Sequence, residues 1–396
     1  ELYNRGPDFL KFSFFRNKTL YISNTILSIT GIPEKNHRIQ QSRNKNYFLS
    51  YNGEIYNYLD LCRHYLPDIK IREKTTDTKV LVNLHESLNS NSIPKLLNGM
   101  FAYIVYDNKK NELIIANDVQ GEKNLFYFEN SEFLIISSTI AAILKFNKKY
   151  DFEETTIKDY FTTRHFMPHK KTCFKNISLF STGSINKYSL HNKKMLSQKY
   201  EDPINWISEK KYREFENASE NEIIELFDYK LNQQIKLMIP KVNFGCIVSG
   251  GIDSSLQAAI ISKHKEPHKN LVIDHGNKDA VMKYIHKFSP YFKKKITKIR
   301  VNKNRYKELS NECYKIICSP LHTHDLPGRL EISKYFRNNN CKVFFSADGC
   351  DELLGGQQLY YKIFKKDYNF DINYSPYSSI IKSKHTSTSE EYKLFL

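Results

Sequence analysis

Ser249-Gly250-Gly251-Ile252-Asp253-Ser254-Ser255 directly follows the apolar run Phe244–Val248. These residue types suit phosphate chemistry. Two adjacent glycines let a backbone approach an anion closely and turn its N–H groups onto it. Residues 254–263 predict a helix, whose N-terminus favours anions. Asp253 is placed to hold a magnesium ion on phosphate oxygens. No lysine stands at the turn, so this is not the G-x-x-x-x-G-K-[ST] loop. A glycine-serine turn alone is often only a turn. Here the strand before it and the helix after it supply the context that nucleotide binding needs.

A second cluster lies at 346–356, Ser346-Ala347-Asp348-Gly349-Cys350-Asp351-Glu352-Leu353-Leu354-Gly355-Gly356, after the predicted strand Cys341–Ser346. Three carboxylates at a strand end repel one another unless a cation compensates them. A magnesium–ATP complex would do so. The plain alternative is an acidic helix N-terminus. Two strand-end sites in one parallel sheet favour the ligand. A third cluster, Tyr51-Asn52-Gly53-Glu54-Ile55-Tyr56-Asn57, also follows a strand; Asn-Gly on its own most often marks a tight turn.

The elements that must position these clusters fall into two regions. Residues 1–190 are rich in strand signals at Thr19–Leu27, Tyr47–Tyr51, Phe101–Tyr106, Glu112–Ala116, Leu125–Phe128 and Phe133–Ser137. Helical stretches at Tyr58–Tyr65 and Thr76–Ser87 interrupt them, with Thr76 or Asp77 as candidate cap. Stacked antiparallel sheets with outer helices suit this pattern. A polar stretch at 198–218 reads as a linker with one anchor, Trp206. From Glu220 the pattern changes. A long amphipathic helix, 220–238, precedes the strand at 244–248. Helix 254–263, strand 271–274, helix 279–288 and strand 296–301 follow, then helices 304–317 and 329–338 and strand 341–346. Alternating strands and helices imply a doubly wound parallel sheet, in which ligands bind beyond the C-terminal strand ends.

At 396 residues the chain is long enough for two domains, and its apolar content, 40%, allows each a core. No apolar run reaches the ~18 residues that would span a membrane. The first ten residues, with Arg5, Pro7 and Asp8, hold no secretory signal. The seven cysteines are scattered and form no C-x-x-C pair, which argues against a zinc site or disulfide framework and for a reducing cytoplasm. Cys246 reads as a small core residue. The net charge of +17 invites a nucleic-acid reading. Lysines are spread along the whole chain, however, and no RNA- or DNA-binding motif accompanies them.

The 249–255 turn resembles the PP-loop of ATP pyrophosphatases, which activate a carboxyl or carbonyl group as an adenylate. Arg5-Gly6-Pro7-Asp8, Asn52-Gly53-Glu54-Ile55-Tyr56-Asn57, Thr76-Asp77-Thr78 and Gly99-Met100-Phe101-Ala102 precede it in order, with Gly121-Glu122-Lys123-Asn124-Leu125-Phe126-Tyr127. With the 249–255 and 348–356 segments, this ordered set covers residues 5–357 and resembles the glutamine-hydrolysing asparagine synthetase family, which includes the β-lactam synthetases. The resemblance implies a class II glutamine amidotransferase domain of the N-terminal-nucleophile fold at 1–195 and a linker at 196–219. It implies an ATP-dependent synthetase domain at 220–396, a parallel sheet of the PP-loop (adenine nucleotide α-hydrolase) type. Members hydrolyse glutamine with an N-terminal cysteine and pass ammonia to the second site. There aspartate and ATP form an adenylate that ammonia converts to asparagine, with AMP and pyrophosphate released.

Carried over residue by residue, Asn52 and the Gly53 N–H would form an oxyanion hole. Glu54 and Asp77 would hold the glutamine amino group. Ser249, Gly250, Gly251, Ser254 and Ser255 would cradle pyrophosphate, with Asp253 and Asp351 as Mg2+ ligands. Asp348 matches an acidic residue important for acyl-adenylate formation. Ile247, Ile273, Ser346 and Ala347 would line the adenosine pocket. The implied partners are small molecules: glutamine, ATP, and aspartate or another carboxylate. A homodimer is the candidate assembly, with no nucleic acid and no membrane.

Three departures matter. No N-terminal cysteine precedes Arg5-Gly6-Pro7-Asp8, which predicts a strand and nucleophile upstream and no glutamine hydrolysis by the sequence as it stands. Ile26 occupies the place of an arginine that grips the glutamine α-carboxylate, with Arg38 or Arg43 as candidate replacements. The family's helical C-terminal portion, with a catalytic lysine, is missing or reduced, so the acceptor is poorly constrained. Alternative acceptors are a uronic acid sugar, another biosynthetic carboxylate or a β-lactam-synthetase-like substrate. An alternative of another class is a degenerate, non-catalytic subunit.

Overall fold

The computed structural model describes residues 2–31, 36–163, 171–274, 285, 287–292, 294–321, 323–354 and 356. The chain divides into two compact units. The first comprises the described residues of Glu1–Lys148 and Asn176–Met238, the second those of Lys149–Lys175 and Ile239–Leu396.

The first unit is built on antiparallel sheets. Its strands are β1 (Phe9–Phe15), β2 (Leu20–Ile26), β3 (Gln40–Gln41), β4 (Tyr47–Ile55), β5 (Gly99–Asp107), β6 (Glu112–Asn117), β7 (Phe126–Glu129), β8 (Leu134–Ser137), β9 (Ile177–Leu179), β10 (Ser184–Ser189) and β11 (Lys194–Lys199). The largest sheet has the order β11-β10-β6-β5-β4-β3; β8-β7-β9 form a second, and β1-β2 a hairpin. Helix α2 (Asp77–Ser87) packs on β4 and α1 (Tyr58–Tyr65) packs on α2; together they bury Leu61, Val80, Leu81 and Leu84 in one core with Leu49, Ile55, Phe101 and Val105. Thr76 caps α2, accepting from Lys79 N–H at 3.1 Å. Gly53 is required in β4: a Cβ there would stand 2.2 Å from Met100 O across the β4–β5 ladder.

β1 departs from the sequence expectation, which began the strands at Thr19. Leu10, Phe12 and Phe14 point outward and are at least 39% exposed, so aromatic residues occupy both faces and mask the two-residue period. The polar stretch expected as a linker carries the end of β11 and a helix, Glu209–Glu216. Ser208 caps that helix, and an Arg213–Glu209 pair one turn apart supports it. Trp206, expected as an anchor, is 47% exposed. The helix Glu220–Met238 belongs by contact to this unit.

The second unit holds a parallel sheet of β12 (Phe244–Ile247), β13 (Lys269–Asp274), β14 (Ile296–Arg300) and β15 (Val343–Phe345), in the order β14-β13-β12-β15. The chain steps outward from β12 to β14, then returns to the far side of β12 for β15. That reversal makes a topological switch point between β12 and β15. Helices Ile252–His264, Lys303–Ile317, Leu326–Asn338 and the short Cys350–Leu354 accompany the sheet. The core joins Leu271, Ile332, Phe336 and Cys341 with Ile247, Ile273 and Phe344. Gly245 in β12 lets the Phe336 ring lie against the strand, since a Cβ there would stand 1.9 Å from it. Cys246 is buried, as expected. The helix expected at 279–288 lies largely outside the described residues.

Candidate functional site

In the first unit, a cavity of about 370 Å3 gathers Asn52, Gly53 and Glu54 from β4, Asp77 from the first turn of α2, and Ile26 from the end of β2. Arg5, Lys11 and Lys123 line it as well; Arg38 and Arg43 do not. Arg43 instead donates to Asp68 O at 2.6 Å on the surface. Neither sequence candidate for replacing the arginine at Ile26 therefore lines the cavity, although Ile39 and Gln40 between them do.

Asp77 is 4% exposed. Its Oδ2 accepts from the Tyr51 hydroxyl at 2.9 Å and from Ile55 N–H at 3.3 Å; its Oδ1 accepts from Thr78 N–H at 2.7 Å. These bonds tie β4 to α2. Burial nonetheless raises the Asp77 carboxyl above its ordinary range. Glu54 is pushed up to about 9, first by burial and then by Asp77. Lys123 acts in the opposite direction on Glu54. Asn52 adds an unsatisfied feature: its Nδ2 is buried and has no hydrogen-bond partner. A buried amide donor without an acceptor is costly and is characteristic of a group that waits for a ligand.

In the second unit the loop after β12 is a compact hydroxyl cluster. Ser249 N–H donates to Ser254 Oγ at 3.0 Å, and the Ser249 and Ser254 hydroxyls meet at 2.9 Å. Gly250 has φ of 86°, which a residue with a side chain adopts only under strain. Gly251 caps the helix Ile252–His264 with no side-chain hydrogen bond, leaving the first-turn N–H groups unsatisfied by any cap. The Ser255 hydroxyl is buried without a partner.

The segment after β15 lies beside this loop. Gln257 donates to Ser346 O at 3.2 Å. The Cys350 thiol is pushed up by burial and by the charges of Asp253, Asp351, Asp348 and Glu352, so carboxylates from both segments surround it. Asp348 is gripped in a fork by Arg329, with one bond at 2.6 Å, and accepts from Ser346 Oγ at 2.7 Å. Arg329 holds its carboxyl below the usual range. Ile247 and Ile273 turn their side chains into the core, which leaves backbone groups as their route to a ligand. Ser346 and Ala347 follow β15 directly. Among the described residues no three His, Cys, Asp or Glu side chains close into a metal cage.

Sequence reasoning missed Arg329, Lys11 and the environment of Lys123. Arg329 belongs to no motif and meets Asp348 only through the fold. Lys11 interrupts an aromatic strand, a signal that becomes readable once β1 is assigned.

Residues 1–201 match the family model for a glutamine amidotransferase domain, and residues 227–394 that for asparagine synthase. A Methanocaldococcus jannaschii protein assigned as a glutamine-hydrolysing asparagine synthetase is 25% identical, over 92% of this chain and 72% of its own length. The Bacillus subtilis (strain 168) asparagine synthetase (glutamine-hydrolysing) 2 is 26% identical, over 77% of this chain and 42% of its own. The Bos taurus asparagine synthetase (glutamine-hydrolysing) is 25% identical, over 91% and 63%. The chain thus spans less than two thirds of the bacterial and bovine relatives. The solved allosteric regulatory enzyme of purine biosynthesis overlaps with a TM-score of 0.35 at 12% identity, over 71% of this chain and 66% of that one, too slight a likeness to carry an argument. With both domain types present in order, the chain belongs to the glutamine-hydrolysing asparagine synthetase family.

Proposed function

We propose that this protein acts in ATP-dependent amidation of the aspartate side-chain carboxylate, with glutamine as nitrogen donor. The products would be asparagine, glutamate, AMP and pyrophosphate. The observation that carries the proposal is the convergence of two segments, 249–255 and 346–351, at the switch point of the parallel sheet. Such a crevice suits a nucleotide. Ser249, Gly250, Gly251, Ser254 and Ser255 would take the phosphates on hydroxyls and first-turn N–H groups. The partnerless Ser255 hydroxyl and the uncapped helix N-terminus fit that ligand.

Asp253 and Asp351 would hold Mg2+. Two carboxylates would suffice for this ion, which keeps several ligand places for phosphate and water. The metal would neutralise the phosphate charge facing the carboxylates. Asp348, oriented by Arg329 and Ser346, would position the reacting groups during adenylation. Ile247, Ile273, Ser346 and Ala347 would contact adenosine through the backbone.

In the first-unit cavity, Glu54 and Asp77 would bind the glutamine ammonium. Asn52 Nδ2 and the Gly53 N–H would stabilise the oxyanion when the amide is attacked. Among the described residues that line the cavity there is no cysteine. The functional division 1–195, 196–219 and 220–396 is part of the proposal; the family matches that support it end at 201 and begin at 227. No described helix is long and apolar enough to cross a membrane. A cytoplasmic enzyme working on small molecules, without nucleic acid and as a homodimer, completes the proposal.

The test is an acceptor screen for ATP–pyrophosphate exchange. Aspartate-dependent exchange that needs magnesium is expected. Exchange with a uronic acid and none with aspartate would replace the acceptor. Exchange with no carboxylate, together with no ATP binding, would favour a non-catalytic subunit.

A further inference from the structure

Joining a carboxylate to ATP brings two anions together, and Mg2+ would answer only the phosphate charge. An aspartate acceptor carries a second carboxylate, which takes no part in bond making. It still has to enter an acidic rim, where Asp253, Asp348, Asp351 and Glu352 together surround the Cys350 thiol. A carboxylate in such surroundings needs a cation beside it. Arg329 is placed to supply one. It stands in the first turn of the helix Leu326–Asn338, which leads into β15. Connecting helices run antiparallel to the strands of a parallel sheet. Their N-termini therefore lie at the C-terminal strand ends, where ligands bind.

A guanidinium carries five N–H donors in a flat fork. Arg329 gives one from Nη1 and one from Nη2 to Asp348, the Nη2 bond at 2.6 Å. Its remaining N–H groups make no bond among the described residues. One edge of the fork, Nε with Nη2, is thus open to a second carboxylate. Arg305, on the helix Lys303–Ile317, shows that edge filled. Its Nε and Nη2 hold Glu331 at 3.1 and 2.7 Å, while its Nη1 holds Glu308 at 3.1 Å. Arg305 serves two carboxylates; Arg329 serves one. The Arg329 side chain is 44% exposed, so a ligand can reach the open edge.

We propose that Arg329 binds the non-reacting α-carboxylate of the acceptor through this edge, so that the site selects a dicarboxylic amino acid over a monocarboxylate. The proposal rests on reading the second-unit site as one that adenylates a carboxylate. Asp348 keeps the other edge of the same guanidinium. One planar group then fixes the acceptor against Asp348 and leaves the reacting carboxylate to face the phosphates.

The experiment measures aspartate-dependent ATP–pyrophosphate exchange by the full chain and by Arg329→Met. In the variant the KM for aspartate should rise about tenfold or more, the scale of a charge-assisted hydrogen bond, with the KM for ATP within about twofold of wild type. β-Alanine, which is aspartate without its α-carboxylate, should serve both proteins equally poorly. The Arg329–Asp348 pair is exposed, so the variant should fold; if it does not, Arg329→Gln takes its place. The proposal is overturned if a folded variant keeps the aspartate KM of wild type, or if its ATP KM rises by the same factor. A fall in kcat alone overturns it too, because Arg329 would then only orient Asp348. So does wild type that uses β-alanine as well as aspartate. Wild type that exchanges with no carboxylate overturns the adenylation reading and the proposal with it. That outcome is distinct from aspartate-dependent exchange that ignores Arg329.

Discussion

The two candidate sites are built on opposite terms. In the first unit the site residues are structural members. Asp77 is 4% exposed and holds β4 to α2, and Gly53 lies within a ladder where no side chain fits. In the second unit the corresponding residues stand at strand ends. Asp348 is 52% exposed in its side chain, and Gly251, Asp351 and Glu352 are also exposed. The difference predicts that changes in the first site damage stability and binding together. Changes in the second should damage binding with little cost to the fold.

The largest effect is expected at Asp77→Ala. It leaves the Tyr51 hydroxyl and the Ile55 and Thr78 N–H groups without their acceptor, a loss of about 3 kcal/mol or more. Chemical denaturation followed by tyrosine fluorescence would measure it. A loss below about 1 kcal/mol would break the comparison, since that is the range of an ordinary surface change. Gly53→Ala should cost about 2 kcal/mol or more by forcing β4 from β5. The same denaturation series, compared with Gly251→Ala, sharpens the contrast. A Cβ on Gly251 meets only Ser249 Oγ, at 3.5 Å.

A pH effect follows from Glu54. Its folded pKa, about 9, is raised from an ordinary value of 4.5. Below about 4.5 both folded and unfolded states carry the proton. Between these values only the folded state keeps it, so stability falls as pH rises through this window. The melting temperature should decline from pH 5 toward pH 9, and Glu54→Gln should flatten the decline. Binding an ammonium ionises Glu54, so glutamine binding should release protons near neutral pH. Calorimetry in buffers of different ionisation enthalpy would detect this.

The smallest stability effect is expected at Arg329→Gln. Arg329 and Asp348 are 44% and 52% exposed, and a pair this open contributes about 1 kcal/mol or less. Arg329 lowers the Asp348 carboxyl, so its contribution is present at neutral pH and disappears as pH falls through the folded Asp348 pKa. Losing Arg329 should move the acid limb of any exchange activity to higher pH.

The legibility of the two sites follows the same divide. In the second unit the apolar run Phe244–Val248, the glycine turn and the following helix are contiguous, so sequence alone located the 249–255 turn at the end of β12. Strand alternation located Asp348–Glu352 at the end of β15. The pairing of β12 with β15 was not legible, because it depends on a chain reversal some hundred residues long. In the first unit Asn52-Gly53-Glu54 and Asp77 were found as motifs. Sequence did not show that Asp77 would be spent on hydrogen bonds within the chain. It also concealed Lys11, because β1 carries aromatic residues on both faces and loses its period.

The most direct test of the central account is equilibrium binding of ATP to the full chain and to Asp253→Asn, with and without magnesium. The account predicts magnesium-dependent binding that weakens about tenfold or more in the variant, while the melting temperature stays unchanged. Equal binding by both proteins, or a variant that fails only because it unfolds, would contradict it.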